Sequence, residues 1–224
     1  PVAFCVIQPM PNLATSDHYT LDLPAGHRFP IAKYALIKEQ LLWQGVAAPA
    51  DFYEPGLCAE ADVLRVHTAG YWHRVRDLQL SAKEVRALGL PQSSQLVRHS
   101  LSSSAGTLQA ALRALKTGIG LNLAGGTHHA FADRGEGFCV LNDQAIAAAH
   151  LLAHGLVRQI LIVDLDVHQG DGTARIFRDE PRVFTFSMHA GANYPLRKEQ
   201  SDLDIALPLG TGDADYLRIL ADTL

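Results

Sequence analysis

The amino-acid sequence predicts an α/β protein in which helices cover both faces of a parallel sheet. Three observations carry that expectation. Short apolar runs at residues 119–123, 159–165, 182–187 and 203–207 have the length and composition of buried strands. Between the first two lies an alanine-rich helical stretch, residues 141–154, with Asn142 or Asp143 available as cap and Gly155 as terminator. The residues that follow the strands are unusually polar, and ligands of such sheets bind beyond the carboxyl ends of the strands.

The first half reads as follows. Residues 2–7 form a short apolar run that reads as a buried strand, ended by Pro9-Met10-Pro11. Pro30 sits where a helix can begin, and Ile31, Tyr34, Ala35, Leu41 and Leu42 supply an apolar stripe that ends before Gly45. Residues 61–115 carry further helical pieces, with breaks expected at Gly70, Gly89-Leu90-Pro91 and Gly106. Tyr71-Trp72 and Leu41-Leu42-Trp43 read as core aromatics, and His18, His67, His73, His99, His150 and His154 as ordinary surface or helix residues. A last helix is expected near Asp213. With no repeat and no composition shift, residues 1–224 read as a single domain.

Composition excludes several classes. Hydrophobic residues at 48% and charged residues at 19% suit a chain that buries a sizeable core, which sets aside disordered, collagenous and disulfide-scaffold proteins. A formal charge of −4 and a pI near 6.3 provide no basic field for a phosphate backbone, so no direct nucleic-acid binding is expected. No apolar stretch reaches the ~18 residues that span a bilayer, and the first residues lack the basic region of a signal peptide. Cys5, Cys58 and Cys139 are odd in number and widely spaced, which points to a reducing compartment, the cytoplasm, and away from a cysteine-rich zinc cluster.

Two strand ends carry the chemistry. One reads Gly125-Gly126-Thr127-His128-His129, the other Asp164-Leu165-Asp166-Val167-His168-Gln169-Gly170-Asp171. Alternation along a strand sends Asp164, Asp166 and His168 to one side, and carboxylates that close together favour a neutralising cation. A carboxylate and imidazole set suits zinc with an open position, although iron and manganese accept the same donors. The glycines let backbone approach a substrate, and the paired histidines offer nitrogen bases that need orienting carboxylates. Asp164 and Asp171 are available for that, which leaves Asp166 and His168 for the metal. Cys139 reads as a buried thiol beside the site.

These stretches resemble the histone deacetylase family, and within it the class IV branch with its bacterial relatives. The resemblance runs through residues 26–34 (GHRFPIAKY), 121–142 (LNLAGGTHHAFADRGEGFCVLN), 162–172 (IVDLDVHQGDG), 186–189 and 202–215. It implies a three-layer α/β/α fold around a central parallel sheet, of the arginase and deacetylase type. Asp166 and His168 would ligate zinc, and His128 and His129 would form a catalytic dyad backed by Asp164 and Asp171 respectively. Gly137 and Phe138 would line an acyl tunnel, with Tyr194 as its opposite wall. A structural potassium ion would sit among Asp164, Asp166, His168, Ser187 and Met188. The family's later Gly-x-Asp zinc carboxylate and its Gly-Gly-Tyr tyrosine find no match, so the chain resembles the N-terminal portion of a longer domain.

The expected activity is hydrolysis of an acyl group from a lysine side chain, on a protein or on a related small amine. Two other readings share the residues. A binuclear manganese ureohydrolase wants Asp-x-His-x-Asp, against the Asp-x-Asp-x-His found here. A catalytically inactive acyl-lysine binding module would tolerate the missing ligand and tyrosine.

Overall fold

The computed structural model describes residues 12–224; the strand expected at residues 2–7 lies outside them. Two three-stranded sheets, all parallel, organise the chain. The first joins β1 (Leu13–Ala14), β2 (Phe52–Tyr53) and β3 (Leu121–Asn122) in the order β2-β1-β3. The second joins β4 (Ile160–Asp164), β5 (Val183–Ala190) and β6 (Leu203–Leu207) in the order β4-β5-β6. Its helical layers are α6 (Asp143–Ala153) and α7 (Asp171–Phe177) on one face and α8 (Asp213–Thr223) on the other.

The period-2 pattern of the strands dictates those layers. Ile162 and Val183 meet Ala145, Ala148, Leu152 and Phe177, whereas Phe186, Met188 and Leu207 turn to the opposite face and meet Tyr216, Ile219 and Leu220. The register sets Asp164, Ser187 and Asp204 level across the three strands, at the carboxyl end of β4. The remaining helices are α1 (Lys33–Trp43), α2 (Glu60–Val63), α3 (Ala69–Arg76), α4 (Ala82–Leu88) and α5 (Ser94–Thr117). Among the described residues no helix is long and apolar enough to cross a membrane.

Several sequence expectations are corrected. Within residues 160–165, which as an apolar run are expected to form a buried central strand, β4 lies at the edge of its described sheet, with Leu161 56% exposed. Apolar composition favours burial, but coverage depends on the helices, and α8 packs over β5 and β6. The α5 helix passes Gly106 unbroken. A Cβ there would collide with the Tyr19 hydroxyl and the Asn122 carboxamide, so this glycine serves close approach. Gly70 lies in the first turn of α3, while Gly89, at φ +76°, does end α4. The α1 helix buries only Tyr34, against Tyr19 and His99, and its last residue Trp43 is 82% exposed. His67 and His99 are buried rather than superficial.

Candidate active site

The turn after β3 climbs through Gly125 at φ +87° and Gly126 at φ +70°, conformations that a side chain would strain. It delivers His128 and His129 with ring centroids 4.1 Å apart. Each imidazole meets its own carboxylate from a different element. His128 Nδ1 lies 2.5 Å from Asp164 Oδ2, at the end of β4, and His129 Nδ1 lies 2.7 Å from Asp171 Oδ1, at the start of α7. Both histidines and Asp171 are buried. A carboxylate on Nδ1 makes that nitrogen the donor and leaves Nε2 for chemistry. Burial pulls the His128 imidazole toward neutrality, but the hydrogen bond and charge of Asp164, with Asp166 and Asp171, outweigh it and hold its pKa above the ordinary value.

The turn after β4 is held differently. Strand geometry ends at Asp164, and the Asp166 amide donates to Asp164 Oδ1 (3.0 Å) while the His168 amide donates to Asp166 Oδ1 (2.7 Å). Successive carboxylate-to-backbone bonds, rather than strand alternation, therefore bring these residues together. His168 Nδ1 stands 3.1 Å and His128 Nε2 3.9 Å from Asp166 Oδ1. A carboxylate and an imidazole are donors that zinc accepts, yet a catalytic zinc takes three protein ligands. Among the described residues no group of three such side chains stands ready for a metal. Ser187 and Met188 of β5 are buried, Ser187 in register with Asp164.

A cavity of about 480 Å³ opens over this centre and reaches Gly137, Phe138 and Tyr194. The Tyr194 ring stands 4.9 Å from that of His129 and 5.8 Å from that of His168, and its hydroxyl donates to Glu136 Oε2 (3.4 Å). Lys198 Nζ fixes this wall by donating to the carbonyls of Asn193 and Pro195, both at 2.6 Å. Gln169, next to His168, exchanges two hydrogen bonds with the backbone of Glu199 and so ties the same loop to the turn after β4. Cys139 is buried nearby, and burial pushes its thiol well above the usual range, which makes it inert rather than nucleophilic.

The cavity also holds residues with no role read from the sequence. Arg28 stands 4.9 Å over the Phe138 ring and Lys33 5.0 Å over the Phe29 ring; neither has a carboxylate partner among the described residues. Their signal was the 26–34 motif itself. His99 lines the cavity too, and only its place on the buried stripe of α5 marks it.

The parallel sheet thus carries two histidine–aspartate pairs beyond its strand ends, at the floor of one cavity. The sequence model of the Histone deacetylase domain matches residues 27–224, and the chain belongs to the histone deacetylase family. An uncharacterized protein of Picosynechococcus sp. is 48% identical over 206 residues, covering 92% of this chain and 69% of that protein. The acetoin utilization protein AcuC of Staphylococcus aureus (strain MSSA476) is 31% identical over 173 residues, covering 73% of this chain and 44% of AcuC. Among solved structures, an HDAC homolog from Aquifex aeolicus superposes with a TM-score of 0.80 at 24% identity, covering 96% of this chain and 64% of that one. An HDAC homolog complexed with SAHA gives 0.75 at 24% identity, over 92% and 60% respectively. The chain thus spans 44% of AcuC and less than two thirds of these solved chains.

Proposed function

We propose that this chain carries the proton-handling centre of a zinc-dependent deacylase that removes acetyl or longer acyl groups from lysine side chains or related amines. The carrying observation is the pair of buried imidazoles, each bonded through Nδ1 to a separate carboxylate, on the floor of an aromatic-walled cavity. Family membership supports amide hydrolysis over the ureohydrolase reading.

In this reading His129 Nε2 takes a proton from the attacking water and later delivers it to the leaving amine, while Asp171 holds the tautomer. His128, with its raised pKa, holds positive charge against the developing oxyanion, the larger contribution. Gly137, Phe138 and Tyr194 line the path of an extended acyl chain, for which flat apolar walls are suited. Asp166 and His168 would contribute two zinc ligands, and zinc in such a site would supply Lewis-acid polarisation of the acyl oxygen and of water. Asp164, Asp166, His168, Ser187 and Met188 form the potassium site that stiffens this turn. Residues 1–224 belong to one deacetylase-like domain, and the buried free thiols of Cys58 and Cys139 suit the cytoplasm.

The test is release of free amine by the zinc-loaded full-length protein from acetyl-lysine and longer acyl-lysine peptides and from acetylated polyamines. Turnover of any of these supports the reading. Tight binding of the peptides without turnover favours the inactive binding module, and two manganese ions per chain with no zinc favours the ureohydrolase.

A further inference from the structure

The His128–His129 pair is held by carboxylates from two other elements, so its geometry depends on where the turn that carries it sits. That turn is gripped by the first residue of α6. Asp143, 1% exposed, lies with Oδ1 2.7 Å from the Thr127 amide and 2.5 Å from the Thr127 hydroxyl. Its Oδ2 accepts from the Gly126 amide at 3.1 Å and from the Thr107 hydroxyl at 2.5 Å. The Thr107 hydroxyl itself accepts from Asn122 Nδ2 (2.9 Å), which turns its proton toward Asp143. No cation pairs with Asp143 among the described residues; the Gly126 and Thr127 amides and the Thr107 hydroxyl donate to this buried carboxylate, and the Thr127 hydroxyl shares its one proton between Asp143 Oδ1 and the Leu141 carbonyl.

Capping α6 does not explain this. Asn142 already caps the helix, accepting from the Ala145 amide, and its Nδ2 donates to the Ala130 carbonyl (3.1 Å). Asn142 therefore holds the residue just after His129, and Asp143 the two residues just before His128. Gly125 completes the fit, because a Cβ there would strike the Asp143 carboxylate.

We propose that Asp143 is a positioning residue that sets the placement of the His128–His129 pair without touching either imidazole. Asn at this position would turn an NH2 group toward the amide and hydroxyl donors and loosen the turn. The proposal rests on the deacylase reading only for its kinetic consequence.

The experiment uses full-length Asp143→Asn with ¹⁵N-labelled histidine, the dyad signals being identified by their loss in His128→Ala and His129→Ala. The expected result is a folded protein with shifted ring-nitrogen resonances for both histidines, kcat lowered about 10- to 100-fold, and KM and zinc content within about twofold of the parent. Parent-like dyad resonances in a folded Asp143→Asn protein would overturn it. If that variant does not fold, Thr107→Val, which removes the hydroxyl donor to Asp143 Oδ2, is read by the same signals: shifted resonances support the proposal and unchanged ones overturn it. A parent without turnover on any acyl amine would sink the deacylase reading, and the resonances would still decide this one.

Discussion

The two halves of the site are built to different standards. Around His128 and His129 the polar groups are buried and satisfied: Asp164, Asp171, Asn142 and Asp143 hold the pair and its flanks. The turn after β4 lies nearer solvent: the Asp166 side chain is 50% exposed, and its Oδ1 accepts from the His168 amide and faces the His168 and His128 rings. A buried hydrogen-bond network is rigid because each broken bond strands a desolvated partner, whereas an exposed carboxylate exchanges protein for water at little cost. Within residues 12–224, the histidine pair is held by buried partners, and the turn of Asp166 and His168 by fewer and more exposed ones.

Substitutions can break that contrast. The largest effect is expected at His129→Ala, with turnover lowered by about 10² to 10⁴ and zinc content unchanged, since the proposed role of this residue is to move protons and not to ligate the metal. Parallel rate and metal assays on the full-length protein check it; loss of zinc would mean that the two halves are one unit.

Acid should attack the buried half next. His67 accepts the Asn142 amide at Nε2 (3.0 Å), and burial pushes its pKa down to about 4. Above ~6.5 folded and unfolded chains are both neutral here. As pH falls from there toward 4 the unfolded chain takes up a proton that the folded chain refuses, so about 3 kcal/mol of stability is lost, and no more below it. Buried His99, also held low by burial, adds in the same direction. Denaturant midpoints at pH 7 and pH 4.5 should fall further in the parent than in His67→Gln; equal falls would remove His67 from the network.

Asp164→Asn bridges the halves, because one oxygen of Asp164 serves His128 and the other the Asp166 amide. Activity should fall about 10- to 100-fold with zinc retained. An emptied zinc site would make Asp164 a ligand. The smallest effect belongs to Asp166→Asn, which should change stability by less than about 0.5 kcal/mol by thermal unfolding of the metal-free protein, as a half-exposed side chain that keeps its acceptor oxygen. A loss as large as that of Asp171→Asn would show the turn after β4 to be as rigid as the histidine pair.

Much of this was legible in the linear chain. Strong apolar runs located β5 and β6, a polar cap and a terminal glycine located α6, and the glycine-led histidine pair and the Asp-x-Asp-x-His run marked both strand ends. These signals are local: period, cap and turn chemistry act over a few residues, so sequence alone determines them. Tertiary structure decided the rest. It alone put Gly106 inside α5, where Tyr19 and Asn122 need the space, left Trp43 in solvent, placed β4 at an edge and buried His67 beneath Asn142. It also turned Asp143 from a helix cap into the clamp of a turn 16 residues away in sequence. Burial and long-range hydrogen bonding depend on which elements meet, and no period within one segment encodes that.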